Sequence, residues 1–250
     1  MGLANKTVLP AIASLAALAL LPGEASAYRP FDLTDAAVAD LRETEIEFGP
    51  FGFRRDDAGR TLIAPAVVYN YGYAKNWELV IEGRGEHPLS GEETRSRLVD
   101  DAISLKGVGR EGVLQGKSGP SVATEFGVLL PEINGVPNAG ASWAFIVSDR
   151  WSWGTIHVNA GVQLTREQNN DVFVGTIVEG PNEWTVRPVA EIRYEREFDT
   201  KETYSVLVGA IWKARDNLSF DFGVREAWVN SRPETELRAG LTFAIAAKEK

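Results

Sequence analysis

Near the C-terminus, the stretch ELRAGLTFAI (residues 236–245) is apolar at every second position: Leu237, Ala239, Leu241, Phe243 and Ile245. Glu236, Arg238, Gly240, Thr242 and Ala244 lie between them. A period of two is that of a β-strand with one oily and one polar face. The pattern recurs in TIHVNAGVQLT (155–165), WTVRPVAEIRYE (184–195) and LSFDFGVR (218–225). Read along the chain, it predicts about twelve strands, at 41–54, 60–74, 77–87, 98–110, 120–131, 141–149, 153–166, 171–180, 184–198, 203–213, 218–229 and 234–246. One short helix is predicted over LTDAAVADLRE (33–43). Pro65 and Pro188 fall inside predicted strands, where each removes a ladder hydrogen bond and so predicts a bulge.

The oily faces could meet a protein core or lipid, and aromatic placement favours lipid. Trp184 and Tyr194 share one face ten residues apart. On a tilted strand that is about 25 Å along a membrane normal, the height of the apolar band between two aromatic girdles. Trp143 with Trp151, and Tyr204 with Trp212, repeat the arrangement at a separation of eight. After the N-terminus no run approaches the ~20 apolar residues of a transmembrane helix, and barrels need none. An even strand number, with short turns at one end and mostly longer loops at the other, completes the pattern of a transmembrane antiparallel β-barrel.

The N-terminus itself reads as an export signal. MGLANK carries a positive charge, VLPAIASLAALALL is apolar, and ASA ends at Ala27 as a cleavage site. The chain then divides into a cleaved signal (1–27), an N-terminal segment (28–40) and one barrel domain (41–250). Loss of Lys6 and Glu24 with the signal leaves the net charge at −9. That balance argues against nucleic acid as a partner. With no cysteine there is no disulfide framework, thiol nucleophile or thiolate-bound metal.

The polar faces carry the candidate lumen: Glu78, Glu82, Arg84, His157, Asn159, Arg187, Glu191, Arg193, Asp221, Arg225, Glu236 and Arg238. Both signs occur on nearly every face, so interlocked long side chains are expected to close the lumen in part. Val189, Leu207 and Ile211 place apolar surface on the same faces, either as lumen packing or as a path for a hydrophobic solute. Catalytic, cofactor and metal sites are not expected. GVGREG (107–112) has the spacing of a nucleotide loop but no helix after it, and Asn217 opens a formal glycosylation sequon in a turn. His87 and His157 lack ligand spacing. His157 could belong to a Ser–His–carboxylate hydrolase, but no nucleophile motif accompanies it.

RAGLTFAI, through Arg238, Gly240, Phe243 and Ile245, resembles the C-terminal β-signal by which bacterial outer-membrane barrels are recognised for insertion. A second resemblance covers nearly the whole mature chain. RPFDLTDAAVADLRETEIEFG opens like members of a family of proposed outer-membrane transporters associated with the meta-cleavage pathway of phenol degradation. Arg29, Pro30, Phe31, Thr34, Asp35 and Ala36 match its R-P-F-x-T-D-D-A-like start, with one Asp of the pair missing. NWELVIEG, DDAISLKG, FGVLLPEINGVPNAG, IHVNAGV, VAEIRYE and NLSFDFGVR follow in order. The resemblance implies a barrel in a Gram-negative outer membrane that passes a small solute, hydrophobic or aromatic ones included. Its partners would be outer-membrane lipid, the barrel assembly machinery and that solute. The alternatives are a non-transporting barrel with a structural or lipid-hydrolase role, and a secreted soluble β-sandwich binding module.

Overall fold

The computed structural model describes residues 29–245; the predicted signal and the tail beyond Ile245 lie outside them. Twelve strands run β1 (Thr44–Arg55), β2 (Arg60–Ala74), β3 (Trp77–Ser90), β4 (Arg97–Arg110), β5 (Ser121–Leu129) and β6 (Gly140–Trp151). They continue as β7 (Gly154–Leu164), β8 (Asn170–Glu179), β9 (Val186–Glu197), β10 (Lys201–Arg215), β11 (Leu218–Val229) and β12 (Arg232–Ile245). Each pairs with its sequence neighbours, and β12 returns antiparallel to β1, so the sheet closes on itself. Closure leaves no edge with unpaired backbone groups, the condition for strands to cross lipid. A β-sandwich is thereby ruled out.

The barrel is inside-out relative to a soluble protein. Glu47, Glu78, Lys106, Glu191 and Asn159 are almost wholly buried, while Trp143, Phe145, Trp184, Ile192, Tyr204, Trp212 and Phe222 are exposed. Alternation alone sorts them. In β9 the odd positions from Arg187 to Glu197 face inward, and Val186, Pro188, Ala190, Ile192 and Tyr194 face outward.

Two expectations change. First, residues 33–43 form no helix but cross the barrel interior in irregular conformation. The barrel begins at Thr44, and the only helical turn among the described residues is the short 3₁₀ turn Val113–Gln115. Second, the bulge predicted at Pro65 is present, as a register shift between Ile63 and Ala66, but none occurs at Pro188. The Pro188 carbonyl accepts from Gly180, just past the end of β8, so its missing N–H falls where that ladder has already stopped. The loop contrast holds in a modest form: at the end bearing both described termini the connections 75–76, 152–153 and 216–217 are two-residue turns, with 111–120 the long exception, while most connections at the opposite mouth are longer, up to 130–139.

Candidate functional site

The interior divides in two. The half nearer the described termini, the near half, is filled by residues 29–43, and wall side chains take up the backbone of that segment. The Arg29 N–H donates to Glu47 on β1 (3.1 Å). Both the Asp32 and Leu33 N–H groups donate to one Glu191 oxygen on β9 (3.0 and 2.9 Å). Thr34 N–H donates to Asn159 on β7 (3.2 Å), and the Asn159 amide returns a bond to Thr34 O (2.7 Å). Ala36 N–H donates to Ser148 on β6 (2.9 Å) and Ala39 N–H to Glu78 on β3 (2.7 Å). Carbonyls are held as well: Arg238 reaches Pro30 O (2.7 Å) and Gln115 reaches Ala36 O (2.9 Å). These partners replace the i→i−4 bonds of a helix, and so the periodicity of 33–43 does not become one.

Charge and shape complete the seat. Asp32 is gripped by Arg238 (2.6 Å) and Arg225 (2.7 Å). Burial disfavours its charge, but Arg238, Arg225 and Arg193 outweigh that and hold the Asp32 carboxyl far below the usual range. Lys106 lies 3.6 Å from both Asp35 and Glu78 and donates to the Thr34 hydroxyl at 3.1 Å. Two inward glycines let the segment approach the wall. A Cβ on Gly175 would sit 2.5 Å from the Leu33 side chain, and one on Gly223 would sit 3.0 Å from Pro30. Below the segment, Ala36 packs with Ala123 and Ile146, and Leu114 of the 3₁₀ turn closes over them.

The far half holds an open cavity. A cavity of about 750 Å³ is floored by Arg29, Pro30, Phe31, Asp32, Leu33 and Thr34. Arg54, Arg84, Arg166, Arg193, Glu82, Glu125 and Glu195 are among its wall residues. Glu86 binds three arginines there: Arg54 (2.6 Å), Arg97 (2.7 Å) and Arg84 (3.3 Å).

All twelve predicted lumen residues lie on the inner face, but not as one set. Glu78, Asn159, Glu191, Asp221, Arg225 and Arg238 hold the N-terminal segment, Asp221 through Arg29 at 3.4 Å. Glu236 braces Arg238 (2.7 Å). Glu82, Arg84 and Arg193 line the cavity. His157 and Arg187 meet at Glu179 (3.2 and 3.3 Å) at the near end. What crosses the lumen is therefore backbone, with side chains as its clamps, rather than interlocked side chains alone. Val189, Leu207 and Ile211 are buried rather than presented to a solute path.

Ser148, His157 and Glu179 form a chain: Ser148 Oγ lies 2.8 Å from His157 Nδ1, and His157 Nε2 lies 3.2 Å from Glu179. Ser148 Oγ also accepts the Ala36 N–H, so the chain is tied to the seated segment. Ser148 and His157 are buried beneath the segment, with no room for an acyl substrate. His87 sits at the far mouth on Ser96 and the Ala64 carbonyl. No cluster of three metal-ligating side chains occurs among the described residues.

The girdle aromatics Trp143, Trp151, Trp184, Tyr204 and Trp212 are exposed, and Tyr194 packs on Tyr204 at 4.8 Å between ring centres. In the last strand, Phe243 and Ile245 belong to the outer set by alternation, but Phe243 is buried, opposite Ile46 and Leu218 on the flanking strands. Arg238 and Gly240 face inward, and both also receive the N-terminal segment.

No protein-family model matches this sequence, and no curated protein matches it. The phenol-pathway family therefore stays a resemblance. Solved structures do match. An outer membrane channel from Pseudomonas putida F1 aligns at TM-score 0.63 and 9% identity, over 86% of this chain and 100% of that one. The KdgM porin aligns at TM-score 0.55 and 11% identity, over 80% and 98%. The translocator domain of the autotransporter NalP from Neisseria meningitidis aligns at TM-score 0.50 and 12% identity, over 81% and 88%. At such identities the likeness establishes the fold, a porin-like closed barrel, and that fold serves more than one task.

Proposed function

We propose that this protein is an outer-membrane channel for a small solute, held closed by its own N-terminal segment. The observation that carries the reading is the seat of residues 29–43. The segment is fixed by hydrogen bonds and ion pairs to nine strands and by no covalent link beyond its run into β1. Such contacts can be exchanged one for another, and a closed state built from them is one of two positions of a movable element. A barrel meant only as a wall fills its interior with side chains projecting from its own strands. Here the near half is filled by a separate segment, and the far half stays open as a vestibule.

Location follows from the surface. Exposed Trp, Phe, Val and Ile around a closed sheet would be an aggregation liability in water and are at home in lipid. The protein is expected to stay in the membrane pellet after carbonate washing and to migrate faster unheated than boiled. Recovery as a soluble periplasmic protein would overturn the reading.

A further inference from the structure

At the floor of the vestibule, the segment offers the wall one carboxylate. Asp32 Oδ1 meets Arg238 Nη2 at 2.6 Å, and Asp32 Oδ2 meets Arg225 Nε at 2.7 Å. Two guanidinium groups thus converge on one carboxyl from adjacent strands, β11 and β12. Each arginine has a glutamate of its own besides: Glu234 holds Arg225 at 2.8 Å, and Glu236 holds Arg238 at 2.7 Å. These glutamates fix the arginines in place and leave Arg225 Nε and Arg238 Nη2 aimed at Asp32, while Arg238 Nη1 donates to the Pro30 carbonyl. Asp32, Arg225 and Arg238 all line the cavity, so the ion pair borders the space a solute reaches first.

The surroundings have a second chemistry. Phe31 and Phe173 line the same cavity, and the Arg193 guanidinium stands 5.1 Å over the Phe173 ring. Phe31 leaves with the segment, so the wall itself offers a carboxylate grip and, at Phe173, one aromatic ring in the same cavity.

We propose that Arg225 and Arg238 form a binding site for small organic carboxylates, aromatic ones above all, and that Asp32 is its built-in occupant. If the segment left alone, these two arginines, each about nine-tenths buried, would lose an acceptor. A buried donor without a partner is costly. A solute carboxylate arriving from the far mouth makes good that loss. It binds the open state and not the closed one, and so it shifts the equilibrium toward release. This inference rests on the reading of residues 29–43 as a removable plug and names the solute class that removes it.

The chain has no cysteine, so a single Ala36→Cys variant reports plug release by thiol labelling: residue 36 is fully buried within the seated segment, against the wall. Ala39→Cys serves as a second reporter, and heat-modifiable migration verifies that each variant is folded. Benzoate is compared with benzyl alcohol, which has the same ring and no charge. Benzoate is expected to speed maleimide labelling about tenfold, and benzyl alcohol to leave it unchanged. Asp32→Asn should label fast without benzoate, and Arg225→Gln/Arg238→Gln should lose the benzoate response. The carboxylate site is refuted if benzoate has no effect, if both compounds act equally, or if the double arginine variant still responds. The plug reading fails separately, if deleting residues 29–42 leaves the channel current unchanged.

Discussion

The near and far halves of this barrel are built from the same twelve strands and the same alternation, yet they solve opposite problems. In the near half, wall side chains turn toward a segment of the chain's own backbone. Glu191, Asn159, Ser148 and Glu78 each accept a backbone N–H that would otherwise be buried without a partner. In the far half, similar side chains turn toward each other, as in the cluster of Glu86 with Arg54, Arg84 and Arg97. One arrangement fixes a separate segment of the chain, and the other lines an open cavity. Charged residues on a lumen face therefore do not share a role: what each touches decides it.

Substitutions in the near half should act on closure, and those in the far half should not. The largest effect is expected from filling the two glycine seats. Gly175→Leu/Gly223→Leu should expel Leu33 and Pro30 from the wall, because each new side chain needs the space they occupy. Limited proteolysis should then cut within residues 29–43, which are protected in the parent protein.

A smaller effect is expected from Glu191→Gln. One carboxylate oxygen accepts two N–H groups, and hydrogen bonds to charged groups contribute about 1.5–3 kcal/mol each. The amide keeps an acceptor but loses the charge, so a loss of about 1–2 kcal/mol is expected, or roughly a five- to thirtyfold rise in the open fraction. Cysteine labelling at position 36 measures it.

The smallest effect on closure is expected from Glu86→Gln. It strips three arginines of a buried partner and should lower thermal stability clearly, since breaking such a pair costs about 3–5 kcal/mol. Labelling at position 36 should nonetheless change less than about twofold, because Glu86 does not touch the plug directly and the path through Arg54, Glu234 and Arg225 to Asp32 includes a 4.0 Å step. A large rise there would erase the distinction between the halves.

The barrel was legible because its signal is local. A period of two within one strand states which residues face in, and all twelve lumen assignments, from Glu78 to Arg238, rest on that alone. Strand ends moved by only a few residues for the same reason. The plug was not legible, because its partners are remote: Pro30 is held by Arg238 across 208 positions, and Thr34 by Asn159 across 125. Residues 33–43 have helical spacing, and nothing local announces that their N–H groups go elsewhere. One trace was available. Gly175 and Gly223 stand on inward faces among larger residues, where a missing side chain marks close approach by another part of the chain. The loop contrast was legible for the same local reason as the strands, because turn residues mark 75–76, 152–153 and 216–217 as short, with 111–120 the exception at that end.

Single-channel current through the parent protein and through a variant lacking residues 29–42, in the same planar bilayer, tests closure by the segment most directly. The parent should give small, brief and noisy events. The deletion should give steady current, several times larger, because the near half would then continue the far vestibule through the barrel. Equal currents from the two proteins, or a large steady current in the parent, would contradict the claim that the N-terminal segment closes this lumen.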